Sequence, residues 1–198
     1  MGYSMSLDTS GILNENEFFT NHYLSTVLEE DLKPLFDSWN KNEAETQNYK
    51  LPYKELQQYI KKSYFKETEN LKSKKEQQLL KESQEAILTS IFYSLDYNLS
   101  VHLKNLEEEQ VLPLLCEVKR NNTPYLWVIE VLRDMKEKED TLESCLSSCQ
   151  FEKEEQFKPY KGVSLKDVIS EAVFSQAEPP RWIILVAYDQ LILIDRTK

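Results

Sequence analysis

The chain has 198 residues, 40% of them hydrophobic and 29% charged, so a sizeable core beneath a well-solvated surface is possible. Its formal net charge of −10 opposes nucleic acid, whereas a free-standing nucleic-acid binder usually presents a basic face. Only three glycines are present and none belongs to a glycine-rich loop, which argues against a nucleotide- or S-adenosylmethionine-binding domain within these residues.

The first half of the chain predicts amphipathic helices. Apolar residues recur at helical spacing, and Asn14 with Glu17 has the spacing of a capping box. Pro34 is expected to end or kink the first helix, and the polar stretch 37–50 predicts a loop or a short helix. The helices are predicted over residues 14–36, 52–70 and 75–95.

The second half predicts strands, interrupted by a charged excursion over 134–160 with a short helix around 141–149 and by a helix over 165–177. The strands are expected over residues 97–103, 112–120, 125–132, 181–188 and 191–195. The sequence therefore predicts an α/β (α+β) fold, with a helical segment over 1–75 and a core over 76–198. We expect one compact domain in which helices flank a mixed sheet of about five strands.

The predicted hairpin over 112–132 carries one carboxylate in each apolar strand, Glu117 and Glu130. A buried charge is costly unless it is paired or binds a metal. A four-residue turn over 121–124 places Glu117 opposite Val128, so that the two glutamates are diagonal neighbours about 7–8 Å apart on one face. A two-residue loop preserves this parity, whereas a three-residue loop reverses it. Two convergent carboxylates suit Mg²⁺, with a retained water to attack a phosphodiester.

The order helix, three strands, helix, strand resembles the core of the PD-(D/E)xK nucleases. That pattern implies a lysine two residues after the second carboxylate, where this chain has Leu132. Lys119 shares the face of Glu117 and is the substitute that we expect to support the developing charge. A second register also matches the PD-(D/E)xK pattern, with Asp96 as the upstream acid followed by Glu117 and Lys119.

Two further interpretations of the hairpin stay open. Glu85 on the third helix is a further candidate acid. Alternatively, Glu117, Lys119 and Glu130 are ordinary cross-strand charges on a solvated face, or the chain is a degenerate nuclease fold without activity.

Three parts of the chain resemble the N-terminal region of large bacterial restriction–modification polypeptides of the type IIG-like class. They are residues 10–24 (SGILNENEFFTNHYL), 124–130 (PYLWVIE) and 180–186 (PRWIILV) with 193–198 (LIDRTK). In that family an N-terminal nuclease-like part precedes an N6-adenine methyltransferase. The resemblance implies defence against foreign DNA such as phage, with Mg²⁺ and S-adenosylmethionine as cofactors of the full protein. Glu130 and Glu117 match acidic positions of the nuclease-like hairpin.

We therefore expect the N-terminal nuclease-like domain of a restriction–modification protein, with Glu117, Lys119 and Glu130 catalytic and Glu117 and Glu130 on the metal. Methylation is not expected of this segment, since it lacks the Asn-Pro-Pro-aromatic and S-adenosylmethionine loops. S-adenosylmethionine would bind a domain following Lys198, and DNA would be contacted through the full-length protein. The alternative is a non-catalytic domain that docks onto a methyltransferase or another defence subunit through the aromatic residues of its first helix. No membrane partner is expected, and the expected location is the cytoplasm.

Overall fold

A computed structural model of the chain describes residues 19–74, 76–107, 110–132 and 140–197. The predicted mixed α/β class is confirmed, because helices flank two β-sheets. The chain divides into two compact units, one reaching to Lys54 and the other spanning Glu55–Lys198. The sequence predicts a boundary later, at residue 75.

The first unit is dominated by α1, Leu28–Glu45, which follows a π-helical turn over Tyr23–Val27. Pro34 lies inside α1 and does not end it. The helix ends where Thr46 adopts an extended conformation, so the predicted loop or short helix after residue 36 is largely a continuation of α1. The predicted capping box at Asn14 lies outside the described residues.

The second unit contains the remaining helices, and α2 begins just before its boundary. The predicted helix over 52–70 is confirmed as a nearly continuous helical run with a π-helical turn in its middle. The helices are α2 (Pro52–Tyr59), a π-helical turn (Ile60–Tyr64), α3 (Phe65–Leu71), α4 (Gln77–Ser94), α5 (Glu154–Phe157) and α6 (Leu165–Asp167), which continues as a π-helical turn (Val168–Val173).

Two sheets lie between these helices. An antiparallel pair, β1–β2, adjoins a four-stranded sheet of order β3-β4-β5-β6, in which β4 and β5 are parallel and the other neighbours antiparallel. The parallel pair requires a crossover, which the chain between β4 and β5 provides with α5 and α6. The strands are β1 (His102–Asn105), β2 (Val111–Leu114), β3 (Cys116–Arg120), β4 (Thr123–Glu130), β5 (Trp182–Val186) and β6 (Leu191–Asp195).

Several predicted elements differ in position. The first strand begins at His102 instead of residue 97, because the chain after α4 turns with Asp96 at a φ of 68°. The strand predicted over 112–120 is interrupted at Leu115, whose N–H still donates to the Val128 carbonyl at 2.8 Å. The short helix predicted around 141–149 is reduced to a 3₁₀ turn, Ser148–Gln150, and Cys145 before it forms an isolated β-bridge with Ser164.

The four-stranded sheet buries apolar residues on both faces. On one face Trp127 and Ile183 belong to the same cluster as Leu165 and Val173 of the α6 region. On the other face Val128 lies in a cluster with other sheet residues and with the helix α4 residues Leu88 and Phe92. The inner strands β4 and β5 therefore alternate between two different apolar layers, and the parity of a side chain decides which layer it enters.

The register of the β3–β4 hairpin contradicts the predicted one. Its loop has two residues, Asn121 and Asn122, with φ of 52° and 63°, as the primed hairpin turns require. Val118 pairs with Leu126, but Lys119 pairs with Pro124, so Tyr125 is an extra residue on β4. Beyond this β-bulge, each β4 side chain lies on the face opposite to the predicted one. A two-residue loop without the bulge would have kept the predicted faces.

Candidate functional site

The bulge places Glu117 and Glu130 on opposite faces of the sheet. Glu117 pairs with Trp127, and paired residues of neighbouring strands share a face. Trp127 and Glu130 are three residues apart on β4, so their side chains point to opposite faces. The predicted register is therefore wrong, and the structure does not bring these two carboxylates together.

Glu117 lies in a closed cluster of charges and an indole ring. Its side chain is 13% exposed, and Oε1 accepts hydrogen bonds from Lys104 Nζ at 2.7 Å and Trp127 Nε1 at 3.3 Å. The Lys104 ammonium also lies 5.6 Å from the Trp127 ring centroid. Burial acts to raise the pKa of Glu117, but the bond and charge of Lys104 outweigh it and the pKa lies below its ordinary value.

Lys119 remains beside Glu117, as predicted from their spacing of two. Its Nζ lies 3.8 Å from Glu117 Oε2, but half of the Lys119 side chain is exposed. It is therefore the weaker of the two cations at Glu117, since Lys104 is closer and more buried. Asp96, the acid of the second predicted register, is exposed just after α4, and the structure gives it no bond to Glu117 or Lys119.

Glu130 ends β4 and is 3% exposed. Its Oε1 accepts a hydrogen bond from Gln84 Nε2 at 2.9 Å, and its backbone carbonyl accepts one from Gln150 Nε2 at 3.0 Å. Burial raises the pKa of Glu130 to about 7, helped by the charge of Glu85 and opposed by the Gln84 bond and by Lys81. Near neutral pH the side chain is therefore divided between its acid and its carboxylate.

Gln84 connects three parts of the second unit. Besides Glu130, its Nε2 donates to the Val131 carbonyl at 3.1 Å. Its Oε1 accepts from the Tyr188 backbone N–H at 3.1 Å. This amide is 1% exposed and links α4 to the end of β4 and to the β5–β6 turn. Its Nε2 donates to two acceptors inside the protein, so no buried donor is left unsatisfied.

Helix α4 places a second acid, Glu85, and a lysine, Lys81, beside Glu130. The Lys81 ammonium is 2.9 Å from Glu85 Oε1, close enough for an ion pair although outside hydrogen-bond alignment. Burial acts to lower the pKa of Lys81, but the negative charges of Glu85 and Glu130 outweigh this effect, so the pKa lies above its ordinary value. Lys81, Glu85 and Glu130 line a small cavity of about 10 Å³, room for roughly one water.

The sequence therefore identified two acids of this cluster, Glu130 and Glu85, but missed the residues that hold them. Gln84, Gln150 and Lys81 come from an exposed-looking helix and from the charged excursion, where no pattern signals a buried amide. Leu132, at the position of the nuclease lysine, is buried and contributes no charge. Arg133 lies outside the described residues.

The residues present do not fit the two-glutamate Mg²⁺ site. Magnesium requires oxygen ligands at about 2.0–2.1 Å, which carboxylates on opposite faces of one sheet do not supply to a single ion. Among residues 19–74, 76–107, 110–132 and 140–197, no group of three or more histidine, cysteine, aspartate or glutamate side chains is arranged to hold a metal.

Comparisons with protein-family models, with curated proteins and with solved structures give no match. None of the helices in the described part of the chain has both the length and the apolar character needed to cross a bilayer.

Proposed function

We propose that this chain is a non-catalytic interaction module with a nuclease-like fold, and that it docks onto an N6-adenine DNA methyltransferase of a bacterial restriction–modification system. The observation that carries the proposal is the placement of Glu117 and Glu130 on opposite faces of the sheet. Glu117 already has a hydrogen-bonded cation in Lys104, so its charge needs no metal to be accommodated.

The docking element that we propose is α1 with the turn before it. No residue of this 18-residue helix is buried, although it carries an apolar stripe at helical spacing. Leu35 is exposed and the other stripe members are half-buried. The stripe consists of Tyr23, Leu24, Val27, Leu28, Leu32, Leu35, Phe36 and Trp39.

The charge of α1 favours a basic partner. Acidic residues outnumber lysines on the helix, and three of them, Glu29, Glu30 and Asp31, fall in its first turn. A polypeptide that binds DNA presents a basic surface, so charge complementarity steers it towards this helix. An amphipathic helix of this kind binds by laying its apolar face into a groove.

The docking proposal is tested by titrating the full chain with the separately purified N6-adenine methyltransferase of the proposed restriction–modification system. We expect a saturable complex that Phe36→Glu weakens at least tenfold, since a charge replaces a stripe residue. Ser38→Glu, which adds the same charge to an exposed position of α1 outside the stripe, is the matched control. Equal affinity of the Phe36→Glu chain and the wild type would show that the stripe is not the docking surface.

The non-catalytic part is tested by incubating supercoiled DNA with the chain and Mg²⁺. We expect nicking no faster than in buffer for the wild type, Glu117→Gln and Glu130→Gln. Magnesium-dependent nicking that Glu117→Gln and Glu130→Gln both abolish would restore the two-glutamate site and contradict the proposal.

A nuclease with a different site is the second candidate function. It is favoured by the grouping of Glu130 with Glu85 and Lys81, since two acids and a lysine are the residue types that a metal-dependent nuclease uses. In the nicking assay this candidate predicts activity in the wild type and in Glu117→Gln, and its loss in Glu130→Gln and in Glu85→Gln. Glu117→Gln is thus the internal control that separates the two sites.

A further inference from the structure

A cavity of about 300 Å³ lies beside α6, away from both glutamates of the hairpin. Its walls come from three separate parts of the second unit: Glu107 with Gln110, residues within 159–163, and residues within 167–176. This volume is at the lower end of the range for small-molecule sites, so the cavity suits a ligand of a few heavy atoms.

The walls combine negative charge with apolar surface. Three acidic residues, Glu107, Asp167 and Glu171, line the cavity, and within the described residues its lining includes no lysine, arginine or histidine. Val168 and Ala172 provide apolar wall between the carboxylate-bearing positions of the α6 region. An anionic ligand is therefore disfavoured, and a cation with an alkyl body matches both kinds of surface.

Two of the three carboxylates are held in place by the surrounding chain. Glu107 Oε1 accepts a hydrogen bond from the Ala177 N–H at 3.0 Å, and the Glu107 N–H donates to Gln176 Oε1 at 3.0 Å. Asp167 Oδ2 accepts from the Ser164 hydroxyl at 2.8 Å. Each of these carboxylates keeps a second oxygen, so both can accept from a ligand without loss of their present bond.

Glu171 and Tyr160 add unused capacity. Within the described residues the Glu171 carboxylate forms no hydrogen bond or ion pair, and its backbone carbonyl accepts from the Ser175 hydroxyl. Tyr160 is 2% exposed, and its hydroxyl lies 3.5 Å from Gln110 Oε1, at the outer limit of a hydrogen bond. The hydroxyl oxygen donates to Gln110 and can still accept a hydrogen bond from a donor in the cavity.

From this cavity, its carboxylates and its under-used buried hydroxyl we infer that the chain binds a small aliphatic cation, a primary amine or guanidinium on a short alkyl chain. The charged group pairs with Glu171 and Asp167, and the alkyl chain lies against Val168 and Ala172. A hydrated inorganic ion fits less well, because the apolar wall offers it no ligand.

The test is a calorimetric or NMR titration of the full chain with putrescine, at low ionic strength because exposed charges are screened by salt. We expect saturable binding of one putrescine, and none of butane-1,4-diol, which has the same length without charge. Glu171→Gln should weaken putrescine binding at least fivefold. Glu143→Gln removes an exposed acid outside the cavity and should leave the affinity unchanged.

A second variant tests the cavity itself. Ala172→Leu narrows it without a change of charge and should also weaken putrescine binding at least fivefold, while circular dichroism reports that both variants remain folded. Three results overturn the inference: no putrescine binding at millimolar concentration, equal binding of the diol, or equal weakening by Glu143→Gln and Glu171→Gln. The last result would indicate diffuse attraction to a chain of net charge −10.

Discussion

At the scale of single residues, the two hairpin glutamates have opposite electrostatic environments although they stand in similar apolar sequence. Glu117 has a close cation in Lys104, which favours its charged form. Glu130 is buried with a second acid nearby, which favours its protonated form despite the hydrogen bond from Gln84 and the charge of Lys81. Burial dominates at Glu130, whereas at Glu117 the cation outweighs it, and the strand pattern distinguishes neither case.

The environment of Glu130 predicts a pH-dependent stability. In the unfolded chain this carboxyl ionises at its ordinary pKa of 4.5, whereas the folded chain keeps the proton until about pH 7. The free energy of unfolding therefore falls as the pH rises from about 4.5 to about 7, by about 3 kcal/mol, and is constant above that. Glu130→Gln should remove this fall. Urea unfolding at pH 5 and pH 8 should therefore show a smaller decrease in the free energy of unfolding for the variant than for the wild type.

Glu117→Gln is the control for the pH experiment, because its sign is opposite. The lowered pKa of Glu117 stabilises the folded chain above the unfolded pKa of 4.5, and this contribution is lost as the pH falls through the folded pKa. The deficit of Glu117→Gln should therefore shrink in acid. A Glu130→Gln difference that does not change with pH would contradict the assignment.

The Lys104–Glu117 bond predicts a coupling energy. Lys104→Met leaves a mostly buried carboxylate without its closest cation, and we expect a loss of about 1–3 kcal/mol in the free energy of unfolding. In a Glu117→Gln background the same substitution should cost less, since no charge is left unpaired. Strictly additive losses in this double-mutant cycle would show that the pair contributes nothing.

At the scale of elements, the β3–β4 hairpin combines an ordinary turn with an irregular strand. Asn121 and Asn122 both adopt left-handed conformations, which asparagine tolerates better than most residues. The bulge at Tyr125 then supplies the parity change that directs Glu130 towards α4. The turn and the bulge together, therefore, decide which residues meet.

The turn conformation predicts a pair of substitutions with opposite effects. Asn122→Gly should preserve or slightly raise stability, because glycine adopts a φ of 63° without strain. Asn122→Ala should lower the free energy of unfolding by about 1 kcal/mol, since a β-carbon is unfavourable there. Thermal unfolding of the two variants checks this, and an alanine variant as stable as the glycine variant would contradict the left-handed turn.

The elements that the sequence predicts well are those with strong local periodicity. The strands β5 and β6, with the turn between them, lie close to their predicted positions, and helix α4 matches its predicted range closely. The hairpin was also predicted, but its register was not, because nothing about Tyr125 in the sequence signals a bulge. The buried partners of Glu130 come from positions 46 and 20 residues away, and no local pattern reports such contacts.

At the scale of the whole chain, the buried apolar residues of the described part all lie at or after Leu51. From residue 19 to residue 50 the structure has no buried side chain, whereas the sheet has an apolar cluster on each face. Stability and the proposed docking therefore depend on different parts of the sequence.

This separation predicts the behaviour of a shortened chain. A chain of residues 51–198 keeps every buried apolar residue of the described structure and should unfold cooperatively, within about 5 °C of the full chain. It should fail to bind the methyltransferase polypeptide, because α1 is absent. A shortened chain without a cooperative transition would show that residues before Leu51 are needed for folding.

The parallel pairing of β4 with β5 has a consequence for synthesis on the ribosome. Glu130 pairs with Val186, so 56 further residues must be synthesised before the parallel partner of β4 is complete. At about 5–20 residues per second, translation leaves that edge open for roughly 3–11 seconds. During this interval the apolar segment Leu126–Ile129 is a target for chaperones and for aggregation, and slowing translation through the crossover should lower the yield of native protein.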